Sequence, residues 1–273
     1  MPATSHVFLM CPPEFFNVAY IINPWMHGNL RRIDNALAKQ QWRALYDVLT
    51  DHATVRLVLP QPGSPDMVFT ANAGLVKDRR FICSRFRYPE RQAEEPYFAD
   101  WFMDRGYDVS LMPRDMPFEG AGDALIDRGD GALWMAWGHR SIQQASEVLA
   151  KKLGLEVVIL KLVDQRFYHL DTCFCPLEGG FVMYYPPAFD DASRAVIEAR
   201  VPKDKRIAID EEDALSFACN AVNVDDTIVV NRATGAFVKS LQRHDFNVVQ
   251  TPLSEFMKAG GSAKCLTLRL DEP

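Results

Sequence analysis

Met67-Val68-Phe69-Thr70-Ala71-Asn72-Ala73-Gly74 is an apolar stretch that breaks into small and polar residues, and four other stretches repeat its character. They are Phe118-Glu119-Gly120-Ala121-Gly122-Asp123-Ala124-Leu125, Tyr168-His169-Leu170-Asp171-Thr172-Cys173-Phe174, Phe217-Ala218-Cys219-Asn220-Ala221-Val222-Asn223-Val224 and Gly260-Gly261-Ser262-Ala263-Lys264-Cys265-Leu266-Thr267-Leu268. A spacing of roughly 40 to 55 residues is the period of modular or propeller-like architectures. Each stretch reads as a short strand ending in polar residues. Helical periodicity lies between them, over 29–51 and 141–153, with shorter candidates at 190–199 and 235–243. The β-branched runs at 55–59, 157–160 and 227–230 read as further strands. Five strand-helix-strand units predict an α/β fold of pseudo-fivefold propeller form, its polar strand ends converging on one central cleft.

No Gly/Ser linker or charge block divides the 273 residues, so they read as one domain, 1–273. A hydrophobic share of 48% and a charged share of 24% are ordinary globular values. The net charge of -6 argues against nucleic acid or an anionic membrane as partner and mildly favours a cationic small molecule. No apolar run approaches the roughly 18 to 20 residues that span a bilayer. The N-terminal residues lack a basic segment followed by an apolar one, so no secretory signal is expected. Six scattered cysteines in a chain this long predict reduced thiols and a cytoplasmic setting. Without C-x-x-C or H-E-x-x-H spacing, no metal site is expected.

Chemistry-bearing residues fall in the repeated stretches. Cys265 follows Gly260-Gly261, which leaves its thiol open to a cleft. His169 stands two residues before Asp171, and strand alternation predicts that both share a face. Glu119 opens one repeat, and Asp66 follows Pro65 just ahead of another. A cysteine nucleophile needs a nearby base or cation to become thiolate, and a histidine held by a carboxylate supplies one. Further carboxylates are costly to bury unpaired. A planar cation rich in N–H donors removes that cost, and guanidinium suits carboxylate geometry best. Singly, each residue has a plainer reading; Asp66 after proline, for one, is a common turn residue. Their joint placement in successive units is what points to a site.

The same residues carry a resemblance. Pro65-Asp66-Met67-Val68-Phe69-Thr70-Ala71-Asn72-Ala73-Gly74, Phe118-Glu119-Gly120-Ala121-Gly122-Asp123, His169-Leu170-Asp171-Thr172 and Gly260-Gly261-Ser262-Ala263-Lys264-Cys265 resemble the signatures of the guanidine-modifying (pentein) superfamily, in the family's order. The opening Met10-Cys11-Pro12-Pro13-Glu14-Phe15-Phe16, with Asn23-Pro24-Trp25-Met26, is similar to its arginine dihydrolase branch, as a stand-alone version of that catalytic domain. The resemblance implies Cys265 as nucleophile, His169 as general acid and base, and Glu119 as a residue that orients His169 or contacts the guanidinium. It implies that Asp66 and Asp171 grip the guanidinium, that Arg91 and Arg140 bind the substrate α-carboxylate, and that Asn23 and Phe69 line the pocket. Asn72 stands where deiminases carry an aspartate, and is expected to hold a neutral ureido oxygen in a second hydrolysis. Glu119-Gly120-Ala121-Gly122-Asp123 has one residue more than the usual Glu-Gly-Gly-Asp, a departure that bears on where Glu119 meets His169. The implied activity is arginine dihydrolysis to ornithine, carbon dioxide and two ammonia without a cofactor. Alternatives are dimethylarginine dimethylaminohydrolase, arginine deiminase, amidinotransferase, or a silent binding module, though silent relatives typically lack the Cys and His. Expected partners are a small guanidino substrate and, in a homo-oligomer, further copies of the chain.

Overall fold

A computed structural model of the chain describes residues 6–272. It holds five three-stranded sheets among the described residues, all on one plan. A middle strand pairs in parallel with an outer strand reached through a helix, and antiparallel with a short inner strand. Gly74–Lys77, Arg80–Cys83 and Asp108–Leu111 form one such sheet, with helix Glu94–Met103 in the crossover. Ala124–Ile126, Leu133–Trp137 and Val157–Lys161 form the next, around helix Ala145–Leu153. Phe174–Leu177, Phe181–Tyr184 and Arg206–Ala208 follow, with Asp191–Arg200, then Val222–Val224, Thr227–Val230 and Asn247–Gln250 with Gly235–Gln242. The remaining sheet joins distant parts of the chain. Val7–Met10 runs parallel to Thr54–Leu57 across helix Asn35–Thr50, and antiparallel to Leu268–Arg269. The α/β, pseudo-fivefold arrangement expected from the repeats is what forms.

The repeats themselves are placed differently from the reading above. They precede strands instead of ending them. Thr70–Ala73, Gly120–Gly122 and Leu170–Thr172 are 3-10 turns, and the inner strands start immediately after them or one residue later. Small residues let these turns pack against one another. Short apolar stretches flanked by polar residues do not reveal which side the turn is on, so sequence periodicity missed the order.

Helix boundaries follow caps. The helix expected over 29–51 begins at Asn35 because the Asp34 carboxylate accepts from the N–H groups of Ala36 and Leu37. Ala38, Trp42, Leu45 and Leu49 form its buried stripe. The helix expected over 141–153 begins at Ala145, freeing Ser141 for the site. Helix Glu94–Met103 was not legible in the sequence, since Glu94 and Glu95 are buried where polar residues are expected outside. Trp134, Phe81, Phe102, Phe118 and Phe174 are fully buried between sheets and helices, each contributing roughly 2–3 kcal/mol of transfer free energy. No helix among the described residues is long and apolar enough to cross a membrane.

Candidate active site

The turns that start the inner strands converge, and their buried polar side chains meet there. Cys265 lies in the turn ahead of Leu268–Arg269 and is 2% exposed. Asn220 clamps this turn. Its Oδ1 accepts from the N–H groups of Ser262 (3.0 Å) and Cys265 (3.1 Å), and its Nδ2 donates to the Asp171 carbonyl (2.9 Å) and lies 3.1 Å from the Cys265 Sγ. The Ala71 N–H donates to the Cys265 carbonyl at 3.1 Å, tying the thiol-bearing turn to the one that carries Asn72. A Cβ on Gly261 would sit 2.4 Å from the Phe69 ring, so only glycine lets the chain pass that wall.

Asp171 and His169 take different partners. The Asp171 Oδ2 is 3.3 Å from the Cys265 Sγ, whereas the His169 Nε2 donates to the Glu119 Oε2 at 2.8 Å. The shared face expected from strand alternation does not form, because Asp171 sits inside a 3-10 turn that begins after His169, where residues advance by about 120° each. With Nε2 engaged by Glu119, the other ring nitrogen, Nδ1, is buried without a hydrogen-bond partner. Glu119 Oε2 also accepts from Arg140 Nη1 (2.8 Å) and its Oε1 from the Arg87 N–H (3.2 Å). Asp123 docks the two turns: Oδ2 accepts from the Ser141 hydroxyl at 2.6 Å, and Oδ1 from the Leu170 N–H at 3.2 Å. The extra residue in Glu119-Gly120-Ala121-Gly122-Asp123 therefore leaves Glu119 against His169.

Charge states follow from burial and neighbours. Burial pushes the Asp171 carboxyl up to about 7, with Lys264 opposing. Burial also raises Asp66, against the pull of Arg91 and Tyr20. Burial acts upward on Glu119 too, but Arg140 and then His169 outweigh it and hold that carboxyl well below the usual range. The Cys265 thiol is pushed well up, first by burial and then by the Asp171 charge. Among the described residues, Asp66 Oδ1, Asn72 Nδ2, His169 Nδ1, Asp171 Oδ1 and Ser262 Oγ are buried without a hydrogen-bond partner. Such atoms are expensive to leave unmade and mark where a polar ligand belongs.

The other expected residues lie nearby. Asp66 Oδ2 accepts from the Tyr20 hydroxyl (2.9 Å), Asn23 Nδ2 donates to the Ala259 carbonyl (2.9 Å), and Phe69 packs edge-on against Phe16. Arg91 makes four hydrogen bonds: two to Glu94, one to Asn72 Oδ1 and one to the Asp66 carbonyl. Of five N–H donors that leaves one. Arg140 lies between the Tyr88 and Tyr168 rings and makes two, to Glu119 and the Ile22 carbonyl, which leaves three. Asn220, Asp123, Ser141, Tyr20 and Glu94 were not singled out from sequence. Asn220 and Asp123 had a signal, as polar residues inside the repeats; the other three had none.

The sequence pattern of the family described as eukaryotic N,N dimethylarginine dimethylhydrolase matches residues 23–271. Over 271 residues, 99% of the chain, it is 55% identical to the bifunctional arginine dihydrolase/ornithine cyclodeaminase AgrE of Nostoc sp. (strain PCC 7120), of which it spans 38% of the length. It is 40% identical to the N(G),N(G)-dimethylarginine dimethylaminohydrolase of Mycobacterium tuberculosis, over 96% of this chain and 85% of that one. The N-terminal domain of ArgZ, a cyanobacterial arginine dihydrolase solved bound to substrate, shares the fold at a TM-score of 0.97 and 53% identity, covering 98% of this chain and 99% of that one. A variant of the ArgZ domain has been captured covalently bonded to a reaction intermediate.

Proposed function

The chain belongs to the N,N dimethylarginine dimethylhydrolase family, and from that premise we propose that it hydrolyses the guanidinium of arginine to ornithine, as one catalytic domain over 1–273 acting on a small molecule in the cytoplasm. One observation carries the reading. Asp66 and Asp171 are buried carboxylates, each with an unpaired oxygen, and Asp171 lies against the Cys265 Sγ. A guanidinium between them satisfies both oxygens.

The cation also makes the thiolate accessible, since an opposite charge lowers the pKa that burial has raised. The Cys265 thiol gives its proton to His169 Nδ1 and its thiolate adds to the guanidinium carbon; Nδ1 then passes that proton to the departing nitrogen, the C–N bond breaks, and ammonia departs to leave a thiouronium on Sγ. Water gives a proton to Nδ1 and adds to that carbon, the C–S bond breaks, and citrulline forms. In the second round the thiolate displaces ammonia from the ureido carbon. Hydrolysis of the resulting thiocarbamate leaves a carbamate that loses carbon dioxide. Arginine and two waters thus give ornithine, carbon dioxide and two ammonia. Asn72 Nδ2 donates to the ureido oxygen in this round. Arg140 and Arg91 take the α-carboxylate on their remaining N–H groups, and Asn23 and Phe69 wall the pocket.

The relative from Mycobacterium tuberculosis favours one second reading, dimethylarginine hydrolysis to citrulline and dimethylamine. Incubating the protein with arginine, citrulline and dimethylarginine and weighing the products separates them. Ornithine with two ammonia per arginine supports dihydrolysis; dimethylamine without ornithine refutes it. Cys265→Ser should bring ammonia release down to background, and retained activity would overturn the mechanism.

A further inference from the structure

Glu94 is a buried acid that the proposed chemistry does not use. It is 0% exposed, starts helix Glu94–Met103, and grips Arg91 in a fork, Nε to Oε1 at 2.9 Å and Nη2 to Oε2 at 2.8 Å. The Arg91 guanidinium stacks on the Phe86 ring, 4.4 Å from its centroid, and its Nη2 also donates to the Asp66 carbonyl at 3.1 Å. Four attachments leave it one orientation. Its Nη1 then donates to the Asn72 Oδ1 at 2.9 Å.

That bond decides which way the Asn72 amide faces. A guanidinium only donates, so only the amide oxygen can meet it. The Nδ2 must point the other way, where it is buried and unpartnered. Gly122 makes the space: a Cβ there would lie 2.3 Å from the Asn72 Nδ2 and 3.3 Å from the His169 ring. The amide therefore offers the site a donor. Guanidinium nitrogens carry only N–H groups and gain nothing from a donor, whereas a ureido group presents an oxygen acceptor. The orientation of one amide thus separates the two halves of the reaction.

We propose that Glu94 and Arg91 are a positioning pair that fixes the Asn72 amide with Nδ2 toward the reaction centre, and so sets how far citrulline is carried on to ornithine. The proposal rests on the dihydrolase reading above. Its test is the product ratio. Glu94→Gln keeps the volume and removes one strong acceptor and the charge. It should lower ornithine formation from citrulline at least tenfold more than it lowers the first ammonia release from arginine, because a looser Arg91 weakens its hold on the α-carboxylate of both ligands alike. With the nucleophile removed as well, citrulline affinity measured by calorimetry should fall at least tenfold further than arginine affinity. In an Asn72→Asp background, which no longer offers the donor, Glu94→Gln should change the ratio no further. If E94Q does not fold, Glu94→Asp, which keeps the charge and shortens the reach, reads the same ratio. Equal loss in both steps would mean a structural role and overturn the proposal, as would an unchanged ratio. A wild-type chain that releases no ornithine overturns the dihydrolase reading and this proposal together; ornithine from wild type with an unchanged E94Q ratio overturns the positioning role alone.

Discussion

Asp171→Asn should make the ligand-free protein more stable at pH 8 and a poorer enzyme. Burial lifts the Asp171 carboxyl from 3.8 to about 7. Between those values the folded chain holds a proton that the unfolded chain has lost, so stability falls as pH rises through that window. Above pH 7 the full penalty is present, about 4 kcal/mol for a shift of this size. At pH 5 little more than a third of it has accumulated. Asparagine has nearly the same shape and no charge, so its advantage over aspartate should grow by about 2–3 kcal/mol from pH 5 to pH 8. For a chain of this length that corresponds to a gain of about 5–10 °C in Tm at the higher pH. Removing one partner of a buried charge pair costs roughly 2–5 kcal/mol in binding, so the KM for arginine should rise about thirtyfold or more. Thermal melts at pH 5 and 8 without ligand, with steady-state kinetics alongside, supply both readouts. A variant that melts lower than wild type at pH 8, or whose advantage does not grow with pH, would refute the assignment of Asp171 as an uncompensated buried charge awaiting a cation.

Asn220→Ala strips the clamp from the Cys265 turn and leaves the buried N–H groups of Ser262 and Cys265 unpaired. A loss of about 2–5 kcal/mol in stability by urea melt is expected, with kcat down at least tenfold. Gly122→Ala should drive the Asn72 amide out of place and make citrulline accumulate at least tenfold relative to ornithine; an unchanged product ratio by mass spectrometry counts against the close approach at that turn. The raised Cys265 pKa predicts slow iodoacetamide labelling of the ligand-free protein at pH 8, read by peptide mapping, and faster labelling in Asp171→Asn. Fast labelling of wild type at pH 7 would instead show a preformed thiolate.

The fivefold plan was legible because the same small and polar stretch recurs at a steady period, and small residues are needed wherever turns must pack closely. Legibility ended where backbone geometry changed without a change in composition. His169-Leu170-Asp171 looks like alternating strand, but a 3-10 turn sends Asp171 to the thiol and His169 to Glu119. Glu94 and Glu95 disguised a buried helix because their partners, Arg91 and Arg85, lie outside it in the sequence. Asn220 sat in plain view within its repeat. Its value lies in what it holds, and that depends on chain more than forty residues away in both directions.

The strand after the nucleophile, Leu268–Arg269, pairs with Val7–Met10, and His6 Nδ1 meets the Asp271 Oδ2 at 2.9 Å across 265 residues of sequence. Among the described residues this seam joins segments near the two extremes of the sequence, and the loop it closes is almost all of them. The closure entropy of that seam predicts that it forms late in folding and seats Cys265 with it. Recovery of activity on refolding should consequently lag behind recovery of helix and sheet.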